Sequence, residues 1–178
     1  MQFVKTELGA DPIVVEAYIA APPEVVYGAW TDPEIVLKWF GPKPGTLLSA
    51  DIDLRVGGAW RFVMSDDGVE TMGFEGDYLT IDPNRRLVLN WSKFTKSSGH
   101  TAATPMSRVD IVLSPKGSGT DIRIVHSAID DENMRKGFTG GWEHGISNLC
   151  DLFGQPHSQN RWQDCGSKGP IPMTSEKG

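Results

Sequence analysis

The sequence predicts an α+β domain in which a curved antiparallel sheet wraps around a C-terminal helix. Short segments with period-2 alternation fill the middle of the chain, and one helical apolar stripe follows them near residues 134–153. The composition is 39% hydrophobic and includes six Trp and seven Phe, which is enough for a packed interior. At 178 residues, the chain fits a single hydrophobic core.

The first strand and two short helices open this arrangement. Residues 13–19 alternate between apolar and other side chains, which is the pattern of a half-buried strand. Pro22-Pro23 then ends the strand and favours a helical start. Residues 31–34 have the Thr-x-x-Glu spacing of a capping box, which predicts a second helix that ends at Gly41-Pro42.

The middle of the chain predicts a meander that brings the number of strands to seven. Alternating apolar residues separated by turn residues mark six further strands, near 48–54, 60–65, 72–81, 87–91, 109–113 and 122–126. Residues 95–105 are rich in Ser, Thr, Gly and Ala, which predicts a mobile loop that could act as a lid.

The last element is a helix that buries one face against the concave side of the sheet. Its apolar residues recur at steps of three and four: Met134, Phe138, Trp142, Ile146, Leu149 and Phe153. Two adjacent glycines cost helix stability, so Gly140-Gly141 is interpreted as a helix start or a kink that leaves space beneath it.

The composition and the charge pattern also indicate the domain limits, the cellular compartment and the classes of partner to expect. We expect an N-terminal extension over 1–12, the domain over 13–154 and a C-terminal tail over 155–178, where periodicity is lost.

A formal charge of −6 disfavours nucleic acid and anionic membrane surfaces as partners. Charged residues interrupt the first twenty positions, and no uncharged stretch is long enough for a bilayer span, which predicts a cytoplasmic protein. Cys150 and Cys165 have no metal-site or framework spacing and are expected to be reduced thiols.

A set of large inward-facing residues forms the candidate ligand site. Ligand sites are mostly apolar with a few placed polar groups, although the same side chains could simply fill the core. The candidates are Trp39, Phe40, Trp60, Phe62, Met64, Phe74, Trp91, His126, Phe138, Trp142 and Ile146.

Few residues suggest catalysis. His126 shares a strand face with Ile122 and Ile124, where an imidazole could serve acid–base chemistry or be a hydrogen-bonded core residue. Glu70, Glu75 and Asp77 could offer a carboxylate at the mouth of a pocket, and Arg61 could pair with an acidic ligand, but exposed strand charges also explain them. No metal-ligand, serine-hydrolase or phosphate-loop pattern is present, so we expect no metal and no cofactor.

The order of the local motifs resembles one branch of a known superfamily. The motifs are TDPE at 31–34, WFGP at 39–42, DLRVGGAW at 53–60, DPNRRL at 82–87, GT at 119–120 and GW at 141–142. Their order across residues 13–153 resembles the activator of Hsp90 ATPase homologue 1-like family, within the START- and Bet v 1-like polyketide cyclase and lipid-transfer superfamily.

The resemblance implies the helix-grip fold, with an internal cavity that holds a hydrophobic small molecule in many relatives. We therefore expect a small hydrophobic ligand and a monomer or homodimer. One alternative is a module that binds a chaperone or another protein. The eukaryotic activator has an additional N-terminal domain that helps it to engage the chaperone, and we expect no such domain within these 178 residues. Another alternative is a cyclase, dehydratase or hydrolase that uses the same cavity, with His126 or Glu75 moving a proton.

Overall fold

A nine-stranded antiparallel sheet forms the framework of the residues described in this computed structural model, which are 4–5, 8–65, 72–97 and 99–154. Its strands are β1 (Val4–Lys5), β2 (Ile13–Ile19), β3 (Leu47–Ile52), β4 (Ala59–Met64), β5 (Met72–Asp82), β6 (Arg86–Ser97), β7 (His100–Ala103), β8 (Ser107–Lys116) and β9 (Gly119–Ser127). The strand order is β1-β2-β9-β8-β6-β5-β4-β3, and β7 pairs with β6.

The described residues also form three helices: α1 (Pro23–Thr31), α2 (Pro33–Trp39) and α3 (Glu132–Leu152). The predicted α+β class and the helix-grip arrangement, with two short helices after the first main strand and a C-terminal helix against a curved antiparallel sheet, are confirmed. In the described part of the chain, no helix combines the length and the apolarity that crossing a membrane requires.

The segment predicted to be a loop is a hairpin instead. Strand β6 continues to Ser97 and turns into β7, whose residues pair with it from Phe94↔Ala103 to Ser97↔His100. The prediction failed because all four residues of β7 are exposed, so no apolar alternation marks this pair of strands. The longer β6 also brings residues 93–97 into the sheet.

The junction of α1 and α2 is capped by Asp32 rather than by the predicted Thr31. Thr31 lies in the last turn of α1, and its hydroxyl donates to the carbonyl of Tyr27 at 2.9 Å. Asp32 has extended backbone, and its Oδ1 accepts the Glu34 N–H at 2.9 Å. The second helix therefore begins at Pro33, one residue later than a cap at Thr31 would place it.

Three hydrogen bonds, two of them buried, fix the far end of α2. Trp39 Nε1 donates to the carbonyl of Ala29 at 2.8 Å, which locks the two short helices together. Asn148 Nδ2 donates to the carbonyls of Trp39 at 3.2 Å and Gly41 at 3.0 Å, which holds α3 against the end of α2. This contact fixes the position of the C-terminal half of α3.

The long helix α3 begins at Glu132 and stays helical through Gly140 and Gly141, so the helix start predicted at these residues is wrong. Asp131 caps it, because its Oδ1 accepts the Met134 N–H at 2.8 Å. Near its other end, Cys150 is buried and takes part in a disulfide bond, which corrects the expectation of a reduced thiol. The predicted tail, with Cys165, lies outside the described residues.

The position of the cap gives the first prediction. Replacing Asp32 with Ala removes the acceptor for the first turn of α2 and should lower the free energy of unfolding by about 1 kcal/mol. Thr31→Ala, one residue earlier, should cost less because that hydroxyl donates within a completed helix turn. Urea denaturation of both variants measures the difference; a larger loss for Thr31→Ala would place the cap at Thr31.

Candidate functional site

A cavity of about 550 Å³ lies between the inner face of the sheet, the end of α2 and the first half of α3. Its volume falls within the range of roughly 300–1,000 Å³ found for small-molecule sites. The lining residues are Trp39, Phe40, Gly41, Pro42, Met64, Met72, Phe74, Trp91, Lys93, Thr104, Asp131, Asn133, Met134, Gly137, Phe138, Gly141, Trp142 and Gly145. Most of this wall is apolar.

Glycines on α3 keep the cavity open. Gly137, Gly141 and Gly145 recur at intervals of four residues and all border the cavity, so they share one face of the helix. A Cβ atom built on Gly137 or Gly141 meets no other atom within 4 Å, whereas one on Gly145 would lie 3.7 Å from the Trp39 ring. Any larger side chain at Gly141 would therefore extend into the cavity.

Aromatic rings from the sheet, from α3 and from Phe40 at the end of α2 surround the cavity. Trp91 on β6 lies 5.3 Å from Phe74 on β5 and 5.2 Å from Trp142 on α3, measured between ring centroids. The Phe74 ring also lies 5.9 Å from Phe40 and 6.3 Å from Phe138 on α3. These rings present apolar faces around the space and support one another by edge and tilted contacts.

The predicted site residues divide into two groups. Those that border the cavity are Trp39, Phe40, Met64, Phe74, Trp91, Phe138 and Trp142. Those that do not border it are Trp60, Phe62, His126 and Ile146, all of which are buried. Whether the bordering residues bind a ligand stays a prediction.

The second group supports the wall from behind. Trp60 contacts Trp91 with ring centroids 4.7 Å apart, and Phe62 contacts Phe40 at 4.9 Å. Ile146 is fully buried in the core. These side chains position the rings that face the cavity. Alternation along a strand shows only that a side chain points inward, so it cannot distinguish a residue that supports the wall from one that borders the cavity.

His126 is a fully buried histidine with a partner at each ring nitrogen. Trp142 Nε1 donates to His126 Nδ1 at 3.0 Å, so the ring proton of a neutral imidazole resides on Nε2. His126 Nε2 lies 2.7 Å from Ser107 Oγ, which in turn donates to the carbonyl of Trp91 at 2.9 Å. Burial lowers the pKa of His126 from 6.5 to about 3. This series of hydrogen bonds connects Trp91 and Trp142, which line two walls of the cavity, through a neutral imidazole.

The acidic candidates also lie away from the cavity. Glu75 pairs across the strands with Arg61, and its Oε2 lies 3.2 Å from Arg61 Nε, on the face of the sheet opposite to Phe74. Asp77 does not border the cavity either, and Glu70 lies outside the described residues. Since neither His126 nor Glu75 reaches the cavity, the hypothesis that they move a proton on a ligand held there is wrong.

Four polar residues that were not predicted from the sequence also line the cavity. Lys93 and Thr104 contribute to the wall from the sheet side, and Asp131 and Asn133 contribute from the start of α3. Lys93 lies two residues after the inward-facing Trp91 on β6, so it faces the same side of the sheet. A prediction of this strand that continued past residue 91 would have identified Lys93.

No group of three or more His, Cys, Asp or Glu side chains in the described residues is placed to hold a metal ion. The polar side chains of the four residues just named supply an ammonium, a hydroxyl, an amide and a carboxylate. Such a set suits hydrogen bonding to an organic ligand.

The chain is similar to a known protein family and to several proteins of known structure. The sequence model of the family described as "Activator of Hsp90 ATPase homolog 1-like protein" matches residues 20–154. Protein NE0264 from Nitrosomonas europaea is 29% identical, with 84% of this chain and 96% of that chain covered and a TM-score of 0.64. Protein CV1439 from Chromobacterium violaceum is 27% identical, with coverages of 83% and 100% and a TM-score of 0.64.

CalU16 from Micromonospora echinospora is also similar, at 27% identity, with 86% of this chain and 81% of that chain covered and a TM-score of 0.59. No curated protein matches the chain.

The buried His126 predicts an acid-sensitive fold. Its pKa is about 3 in the folded state and near 6.5 in the unfolded chain, so between these values only the unfolded state binds the proton. The free energy of unfolding should therefore fall by up to about 1.4 kcal/mol per pH unit as the pH drops below 6.5. Urea denaturation at a series of pH values from 7 to about 5 measures this slope.

Two histidine variants isolate the contribution of His126. His126→Gln should flatten the slope by the equivalent of one proton, whatever its effect on absolute stability. His144→Gln, at an exposed position of α3, provides the matched control. Equal slopes for wild type and His126→Gln would refute a buried neutral imidazole.

Proposed function

Because this chain belongs to the activator of Hsp90 ATPase homolog 1-like family, we propose that it binds a small apolar or aromatic molecule in the cavity between the sheet and α3. The observation that carries this proposal is the open space beneath the glycine face of α3. A concave, mostly apolar site of about 550 Å³ has the size and lining typical of small-molecule sites.

The glycines have an energetic cost that packing does not explain. Each glycine in a helix interior destabilises the helix by about 1 kcal/mol relative to Ala. At Gly137 and Gly141 a Cβ atom would fit without a clash, so the local structure does not require glycine there. A role in keeping the cavity empty for a ligand accounts for both residues.

The composition of the wall suits a flat, apolar ligand. Phe74, Trp91, Phe138 and Trp142 surround the space with rings, and ring faces pack well against another aromatic system. Met64, Met72 and Met134 also border it, and their flexible thioethers adapt to ligands of different shapes.

A cavity-filling variant tests the proposal. N-phenyl-1-naphthylamine, a neutral aromatic probe whose fluorescence rises in apolar surroundings, should bind to the wild type with a measurable Kd. Gly141→Leu places four carbon atoms in the cavity and should weaken this binding at least about tenfold, by steric exclusion.

Gly140→Leu is the matched control. It changes the neighbouring helix position, which does not border the cavity, and it gains similar helix propensity. Its Kd for the probe should remain within about twofold of the wild type. Unchanged probe binding by a folded Gly141→Leu protein, or no binding by the wild type, would contradict the proposal.

A further inference from the structure

Lys93 occupies an unusual place for a basic residue. It lies on β6 directly opposite Phe74 on β5, which in turn lies opposite Phe62 on β4, so these three residues form one row across the inner face of the sheet. Lys93 is half-buried and borders the cavity. A group of opposite charge offsets the hydration that a charged group loses beside apolar side chains.

No partner of that kind is present among the described residues. Lys93 Nζ forms neither an ion pair nor a side-chain hydrogen bond with any of them, whereas Arg61, Lys116 and Lys136 are paired with Glu75, Asp121 and Glu132. Of the residues described around the cavity, Lys93 is the only cation.

The only acidic residue described around the cavity is already engaged elsewhere. Asp131 is exposed, and its Oδ1 caps α3 by accepting the Met134 N–H at 2.8 Å. It forms no ion pair with Lys93. The positive charge on the wall is therefore not neutralised by this carboxylate.

A second polar group is held rigidly next to Lys93. Thr104 N–H donates to the Lys93 carbonyl at 2.8 Å, and Thr104 Oγ1 accepts the Lys93 N–H at 2.9 Å. Ser92 Oγ donates to the Thr104 carbonyl at 2.7 Å. With Oγ1 fixed as an acceptor, the Thr104 hydroxyl can direct its hydrogen to a bound molecule, and Lys93, whose backbone pairs with Thr104, lines the same cavity.

We propose that the ligand is an amphiphilic anion, with an apolar or aromatic body and one acidic group, such as a carboxylate, that pairs with Lys93 and accepts from Thr104. This inference rests on the proposed function and adds the charge class of the ligand. The body contacts the rings of Phe74 and Trp91, and the acidic group lies at the polar part of the wall. Because the chain carries a net charge of −6, the cavity cation supplies an attraction that the surface as a whole does not.

A pair of probes with the same ring system tests the charge class. 8-Anilinonaphthalene-1-sulfonate carries one anionic group, and N-phenyl-1-naphthylamine is the same skeleton without it. Lys93→Met keeps an unbranched side chain and removes the charge. It should weaken binding of the sulfonate roughly 10- to 100-fold, the value of one charge-assisted hydrogen bond, and change the Kd of the neutral probe by less than about threefold.

Two further variants complete the test. Lys93→Arg retains the charge and should keep the sulfonate affinity within a few-fold of the wild type. Lys96→Met removes an equal charge at an exposed position on the same strand that does not border the cavity, and should leave both affinities unchanged within about twofold. Thermal melting of each variant verifies that it is folded.

The outcomes separate the two proposals. If the neutral probe binds to the cavity but Lys93→Met leaves the sulfonate affinity unchanged, the anion inference is overturned and the proposed function stands. Equal losses for Lys93→Met and Lys96→Met would also overturn it, because only net charge would then matter. If neither probe binds to the wild type, the proposed function fails and the inference fails with it.

Discussion

The buried hydrogen bond from Trp142 to His126 attaches α3 to the sheet, and the shape of the cavity depends on it. It fixes the indole ring against Trp91, so that the two rings form one corner of the wall. Asn148 holds the same helix to the end of α2 by two further hydrogen bonds. With the helix fixed at these points, the glycines at 137 and 141 leave a space that no side chain of α3 fills. Rigid attachment and missing side chains together maintain the cavity.

His126 is well suited to this structural role. A neutral imidazole can accept from an indole N–H and donate to a hydroxyl at the same time, so both of its nitrogens are satisfied in an apolar setting. A charged imidazolium could not accept from Trp142, and burial opposes that charge. The strongly lowered pKa of His126 therefore reflects the burial of a hydrogen-bonded structural residue, and does not indicate a proton-transfer residue facing a ligand.

Much of the fold follows from local patterns in the sequence, but the position of the cavity does not. Alternation and helical stripes reveal the main strands and α3 because each pattern depends only on which face is buried. Trp60 and Phe74 both face inward, yet only Phe74 borders the cavity, because Trp91 covers Trp60 at a centroid distance of 4.7 Å. Which inward ring is covered depends on partners distant in the chain, and parity carries no information about that. Lys93 was missed for a different reason, since the exposed β7 gave no sign that β6 continues past Trp91.

Methionine methyl groups offer the most direct test of the central claim that a ligand occupies this cavity. Met64, Met72 and Met134 border it, whereas Met106 is 52% exposed and lies outside it. In protein labelled with ¹³C at the methionine methyls, N-phenyl-1-naphthylamine should shift the resonances of these three methyls and show intermolecular nuclear Overhauser effects to them. The Met106 resonance should stay unchanged. Shifts confined to Met106, or bound probe with no contact to the three cavity methyls, would contradict the account.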